Sequence, residues 1–102
     1  MLKLDLKSED MRQIQFILQH IVPRAEVWAY GSRVKGSNHD ASDLDLVIRN
    51  PSALQKPIEQ LTKLREAFRD SDLPLLIDMM DWAYLPENYR AEIEKLHVVI
   101  HP

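Results

Sequence analysis

Glycine is scarce in this sequence, and the two glycines lie close together. The chain of 102 residues contains only Gly31 and Gly36, whereas an average usage of about 7% would give roughly seven. Glycine is required where the backbone adopts a positive φ or where another group approaches the backbone closely. The segment that contains both glycines is therefore predicted to be a loop with a functional role, and the fold must leave this loop accessible.

The composition is that of one ordinary globular domain. A length of 102 residues fits a single domain over 1–102, and 45% hydrophobic with 28% charged residues argues against disorder. Thirteen Lys and Arg against 16 Asp and Glu give a net charge of −3, which argues against a protein that binds nucleic acid directly. Because cysteine is absent, disulfides, zinc ribbons and thiol nucleophiles are excluded. The charged N-terminus is unlike a signal peptide, and no apolar run reaches the ~18 residues of a membrane helix, so we expect a cytoplasmic protein without membrane contact.

Hydrophobic periodicity predicts alternating helices and strands. Apolar residues at 3–4 spacing predict helices at about 8–21, 54–69 and 86–96. Runs of β-forming residues predict strands at 26–30, 42–48 and 75–80. The polar segment 32–41 is predicted to be a loop with room for one helical turn, and residues 98–100 fit either a last strand or helix packing. The order predicts an α+β fold of two α/β layers, a small mixed β-sheet flanked by helices.

Acidic residues on the predicted strands form a candidate metal site. Asp43 and Asp45 are two positions apart, so a strand places both side chains on one face, within reach of one cation. Mg²⁺ prefers carboxylate oxygens together with substrate phosphates. Taken alone, such a pair is more often two exposed acids on an amphipathic strand.

A third acid lies in the apolar run LLIDMM. Asp78 can complete the carboxylate cluster if its strand pairs beside the strand of Asp43. Three carboxylates at a sheet end suit two-metal phosphoryl transfer. Asp81, three residues later, is the competing third acid, although its position is also that of a cap for the following turn.

The glycine loop directly follows the first predicted strand. Backbone N–H groups after Gly31 and the Ser32 hydroxyl can hold a phosphate, although a turn glycine and a helix cap explain the same pair. What is uncommon is the combination: a strand, Gly-Ser, ten residues, and Asp-Leu-Asp on the next strand. This combination favours a phosphate and metal site over two unrelated features.

Gly31-Ser32 is followed by ten residues, 33–42, and then by the run Asp43-Leu44-Asp45-Leu46. This pattern resembles the Gly-Ser-x10-Asp-h-Asp-h signature of the DNA polymerase beta nucleotidyltransferase superfamily. The longer string GSRVKGSNHDASDLDLVI is similar to that of minimal nucleotidyltransferases (MNT domains), which commonly act as antitoxins in HEPN/MNT toxin–antitoxin pairs. The resemblance covers essentially the whole chain and implies a nucleotidyltransferase-like fold.

The resemblance also implies roles for individual residues. It implies that the metal ligands and catalytic residues are Asp43, Asp45 and Asp78, the last polarising the attacking hydroxyl. It implies that nucleotide is bound at the loop, where the candidate residues are Gly31, Ser32, Arg33, Lys35, Gly36 and Ser42. The charges of Arg33 and Lys35 can neutralise phosphate, but equally fit a plain polar loop.

The hypothesis from the sequence is a nucleotidyltransferase that uses Mg²⁺ (two ions) and ATP or another NTP. It transfers AMP to a hydroxyl of a partner protein, a tyrosine of a HEPN-type toxin, with which it forms a hetero-oligomer. Two alternatives stay open: an antitoxin that binds nucleotide and neutralises its partner without catalysis, and a transferase for small molecules of the aminoglycoside kind.

Overall fold

The computed structural model of the protein describes residues 4–37 and 42–102. The last residues of the predicted loop, 38–41, lie outside the described residues. The helices are α1 (Ser8–Ile21), α2 (Ser32–Lys35), α3 (Leu61–Arg69) and α4 (Glu87–Lys95). The strands are β1 (Glu26–Tyr30), β2 (Leu44–Arg49), β3 (Ile77–Asp81) and β4 (Val98–His101), and a 3₁₀ turn, Trp82–Tyr84, follows β3.

The strands form one mixed sheet in the order β3-β2-β1-β4. β1 pairs antiparallel with both β2 and β4, whereas β2 and β3 are parallel. The predicted α+β fold with a small mixed sheet and flanking helices is confirmed. Pairing of β4 with β1 also decides between the two interpretations of residues 98–100, which form a strand.

The two faces of the sheet are covered to different extents. α1 and α3 cover one face, where Ile14, Leu18, Leu64 and Phe68 are buried against alternate residues of all four strands. On the opposite face, a smaller cluster is formed by Trp28, Tyr30, Val47, Trp82, Leu85 and Ile93. Among the described residues, the 3₁₀ turn, Leu85, α4 and the His97 ring, which stacks on Trp28, cover part of this second face.

The second predicted helix, 54–69, is wrong at its start, because α3 begins only at Leu61. The residue before a proline is disfavoured in the helical region, so Pro57 restricts Lys56. The Ile58 N–H then donates to the Asp81 carboxylate at 2.8 Å instead of to a helical carbonyl. Within the described residues, no helix is both long and apolar enough to span a membrane.

Candidate functional site

Three polar side chains form a row across the open face of the sheet. Tyr30 on β1 is the register partner of Asp45 on β2, and Asp45 is in turn the register partner of Asp78 on β3. Register partners lie on the same face of a sheet, with neighbouring strands about 4.8 Å apart. Pairing of β2 with β3 thus brings together the two acids that the sequence placed on separate strands.

Asp45 is the electrostatic centre of this row. Burial raises the pKa of its carboxyl group, and the negative charges of Asp78 and Asp43 raise the pKa further. Asp43 directly precedes β2 and is exposed, as is Asp78. The site therefore holds more negative charge than its surroundings neutralise, which is the condition that a bound cation relieves.

Tyr30 is a member of the site that sequence reasoning missed. Burial is the main cause that raises the pKa of its phenol far above the usual range, with Tyr89, Asp45 and Asp78 adding to it. The phenol is therefore neutral throughout the physiological range. Its place directly before Gly31 was the available signal, but an aromatic residue that ends a strand is equally typical of a core.

Gly31 allows the loop to pass directly against Asp45. Its backbone has φ 82° and ψ −153°, a combination found essentially only in glycine. A Cβ at this position would lie 2.3 Å from Oδ2 of Asp45. The missing side chain thus leaves room for the carboxylate, and the predicted close approach at this glycine is to a side chain of the site itself.

The described residues that follow Gly31 form a single helical turn, α2, as the sequence predicted. Gly36 ends it in the left-handed conformation, φ 83°, and Ser32 stands at its start, half-buried. The Arg33 guanidinium is buried and donates to the carbonyl oxygens of Ser42, at 2.9 and 3.2 Å, and of Asp5, at 2.8 Å. These bonds tie the loop to the residue before Asp43, so Arg33 has a clear positioning role.

A cavity of about 460 Å³ opens above the row. Tyr30, Gly31, Asp45 and Asp78 form its floor, and Lys35 of α2 lies at its border. On the side of α4, the wall is formed by Tyr89, Glu92, Ile93, Lys95 and Leu96. The positions of these five residues depend on how α4 packs across the sheet. The volume is within the usual range for a small-molecule site.

Asp81, the competing third acid, is engaged elsewhere. It is buried, and its carboxylate accepts hydrogen bonds from the backbone N–H groups of Ala83, at 3.0 Å, and Ile58, at 2.8 Å. It caps the 3₁₀ turn, as its sequence position indicated. Asp78, in contrast, lies in the cavity beside Asp45.

The acids suit a hard divalent cation, although they do not form a closed ligand set by themselves. Across the described part of the chain, no group of three or more acidic, histidine or cysteine side chains is already gathered for a metal ion. The donor chemistry nevertheless fits Mg²⁺, which takes carboxylate oxygens and completes its shell with water and phosphate.

Comparisons with known proteins show the family and the fold of the chain. The sequence pattern of the nucleotidyltransferase domain family matches residues 11–101. A relative, the probable protein adenylyltransferase MntA of Haemophilus influenzae, is 46% identical over 100 residues, covering 96% of this chain and 84% of that protein. The fold is similar to a chain in a crystal structure of a toxin–antitoxin with AMP-PNP, with a TM-score of 0.63, 17% identity, and coverage of 88% of this chain and 71% of that one. The chain belongs to the nucleotidyltransferase family, as one of its minimal members.

Proposed function

We propose that this protein transfers AMP from ATP to a hydroxyl group of a partner protein, and that the acceptor is a tyrosine of a HEPN-type toxin, which the modification neutralises. The relative from Haemophilus influenzae is named a probable protein adenylyltransferase, and the structure of similar fold is a toxin–antitoxin with AMP-PNP. Both favour a nucleoside triphosphate as donor and a protein as acceptor.

The observation that carries the proposal is the pair Asp45–Asp78, side by side at the floor of a cavity that also borders Gly31. In this proposal Asp43 and Asp45 hold Mg²⁺, and Asp78 accepts the proton of the attacking hydroxyl. When bound, Mg²⁺ neutralises charge on the phosphates and lowers the pKa of the attacking oxygen. The proposed reaction is an in-line displacement, which requires the acceptor and the triphosphate on opposite sides of the reacting phosphorus.

The loop is proposed to hold the triphosphate. Gly31 and Ser32 present backbone N–H groups and a hydroxyl, while the exposed Lys35 supplies a positive charge at the border of the cavity. Gly36 and Ser42 are proposed to shape this loop, since Gly36 ends α2 and the Ser42 carbonyl is bound by Arg33. Arg33 acts by positioning the loop, because its guanidinium already donates to carbonyl oxygens.

The size of the cavity favours an acceptor on another folded protein. About 460 Å³ can enclose much of a nucleotide but leaves little room for a second substrate in the same pocket. A partner that docks over the open face can place a tyrosine hydroxyl next to Asp78. The attached nucleotide then adds bulk and negative charge to the partner, which would hinder its binding of RNA.

The test is the intact mass of the HEPN-type partner after incubation with this protein, Mg²⁺ and ATP. We expect the mass to rise by about 329 Da per AMP, the increment that nucleotidyl transfer requires. A partner that is inhibited while its mass is unchanged would contradict the transferase and favour neutralisation by binding alone.

Two variants separate binding from chemistry. Asp43→Asn is expected to abolish the mass increment while the circular dichroism spectrum stays that of the wild type, because one metal ligand is weakened at an exposed position. Asp78→Asn is expected to lose transfer but to retain partner binding, measured by titration calorimetry. Transfer by Asp43→Asn at the wild-type rate would overturn the metal assignment.

A further inference from the structure

The three tyrosines of the chain differ in how they relate to the cavity. Tyr30 forms part of its floor but is only 9% exposed. Tyr89, on the α4 wall, is 48% exposed and also lines the cavity. Tyr84 is the most exposed of the three, at 75%, but it is not among the described residues that line the cavity. Only Tyr89 combines access to solvent with a position beside Asp45 and Asp78.

Tyr30 relates the position of Tyr89 to that of the acids. Tyr30, Asp45 and Asp78 form one row across the sheet. Tyr89 lines the same cavity as all three members of this row. The Tyr89 side chain therefore faces the row from α4, on the same side of the sheet as the proposed reacting groups.

We propose that Tyr89 is a self-modification site, at which the protein attaches AMP from ATP to its own phenolic oxygen in the absence of a partner. This inference rests on the proposed function. The oxygen of Tyr89 forms a bond to the α-phosphorus of ATP, and the bond from that phosphorus to the bridging oxygen of the β-phosphate breaks. Pyrophosphate leaves, and the phenolic proton passes to the Asp78 carboxylate. The product is a phosphodiester between Tyr89 and AMP.

The structure distinguishes Tyr89 from the other two acceptors. Tyr30 is too enclosed to align its oxygen with an incoming nucleotide, since it is only 9% exposed. Tyr84 is accessible but lies outside the cavity. An AMP group attached to Tyr89 would remain in the cavity that the partner's hydroxyl has to enter, so self-modification would limit further transfer.

The test is intact mass of the purified full-length chain after incubation with Mg²⁺ and ATP alone, followed by peptide mapping. We expect an increment of about 329 Da, located on the peptide that contains Tyr89. Tyr89→Phe is expected to lower the modified fraction roughly tenfold or more, since it removes the nucleophile. Tyr84→Phe is the matched control and is expected to be modified like the wild type. A label on Tyr84, or on any residue other than Tyr89, would overturn the proposal.

Two further measurements distinguish a failure of the self-modification proposal from a failure of the proposed function. Wild-type protein that adds AMP to its HEPN-type partner but never to itself would overturn self-modification and leave the proposed function standing. Failure to modify either protein would overturn both. Because the reaction is proposed within one chain, its initial rate per molecule should not change when the protein is diluted; a rate proportional to concentration would contradict it.

Discussion

Gly31 and Asp45 define each other's conformation. The carboxylate of Asp45 occupies the space in which a Cβ of residue 31 would lie, 2.3 Å from Oδ2. Gly36 has nearly the same φ, 83° against 82°, but among the described residues, its two chain neighbours aside, no heavy atom lies within 4 Å of its ideal Cβ. Substitution of Gly36 by alanine therefore strains the backbone alone, whereas the same substitution at Gly31 also displaces a neighbouring side chain.

Gly31→Ala is expected to lower both stability and kcat. The strained backbone costs about 1–3 kcal/mol, and the added methyl group pushes the Asp45 carboxylate away from its place beside Asp78. Gly36→Ala carries a strain of about 1–2 kcal/mol without that displacement. Thermal unfolding and steady-state kinetics of both variants test this. A kcat loss for Gly36→Ala as large as that for Gly31→Ala would show that strain alone explains the effect.

Asp45→Asn is expected to stabilise the metal-free protein at neutral pH. The pKa of Asp45 is raised by burial and by Asp78 and Asp43, so its ionised form opposes folding, and this opposition appears as pH rises above the ordinary value of 3.8. Relief of about 0.5 kcal/mol corresponds to roughly 2–4 °C in Tm for a domain of this size.

Melting curves in a chelator from neutral to acidic pH measure this difference. The gain should shrink as the pH falls towards 3.8, because the wild-type carboxyl group becomes protonated there. Adding Mg²⁺ and ATP should raise the Tm of the wild type more than that of the variant. A variant that is less stable than the wild type in the chelator would show that Asp45 is not under repulsion.

For individual residues, spacing along the sequence was enough to propose site members, but members that depend on the register between strands were missed. Asp43 and Asp45 were predicted from a period of two along one strand; Asp45 lies in β2, whereas Asp43 directly precedes it. Asp78 was expected beside them on condition that its strand is their neighbour, and the structure meets that condition. The place of Tyr30 beside Asp45 depends on the β1–β2 register, which no local pattern contains.

Strand β2 runs along the open face of the sheet and has an acidic residue at one end and a basic residue at the other. Its alternate residues Asp45, Val47 and Arg49 share one face. At the far end, the Arg49 guanidinium lies 3.9 Å from the ring centre of Trp28 and 4.5 Å from that of Trp82, and it is paired with Glu26. The arginine there is enclosed and paired with Glu26, whereas no ion pair to the acids at the other end is found among residues 4–37 and 42–102.

Element bounds were predictable where apolar periodicity and a proline agreed. α1 begins and ends where the pattern predicted, with Pro23 soon after its end. α3 was predicted seven residues too long, since Leu54 and Ile58 continue its spacing although Ile58 bonds to Asp81 instead. That contact joins residues 23 positions apart, so the local sequence could not reveal it.

The last strand is expected to make the fold sensitive to acid. His101 in β4 is buried, and its Nε2 has no hydrogen-bond partner among the described residues. Burial lowers the pKa of His101 below its ordinary value of 6.5. As pH falls through 6.5, the unfolded chain takes up this proton first, so stability is lost from there downward.

His101→Gln is expected to remove this part of the acid sensitivity, about 0.5–1 kcal/mol. Urea unfolding of both proteins from about pH 8 to about pH 5 measures it, and the difference between them cancels the titration of the other histidines. The curves should converge or cross as the pH falls. Two curves that stay parallel throughout would contradict a buried neutral His101.

For the whole molecule, the uneven cover of the sheet is what creates the site. α1 and α3 close one face with a continuous apolar cluster, whereas α4 and the 3₁₀ turn close only part of the other. The cavity is the remaining gap, and the acids stand where that gap meets β2 and β3. The groups proposed to bind nucleotide and metal therefore lie at the open part of the sheet, where a partner can approach them.

The same arrangement predicts that the protein does not bind duplex DNA or RNA by itself. Its net charge is −3, and the open face presents the carboxylates of Asp43, Asp45 and Asp78, which repel a phosphate backbone. Electrophoretic mobility shift with duplex DNA and duplex RNA at physiological salt should show no complex at micromolar protein, since affinity for duplexes depends mainly on cations that displace counterions. Nanomolar binding under these conditions would contradict the prediction and would favour a nucleic-acid end over a protein hydroxyl as the acceptor.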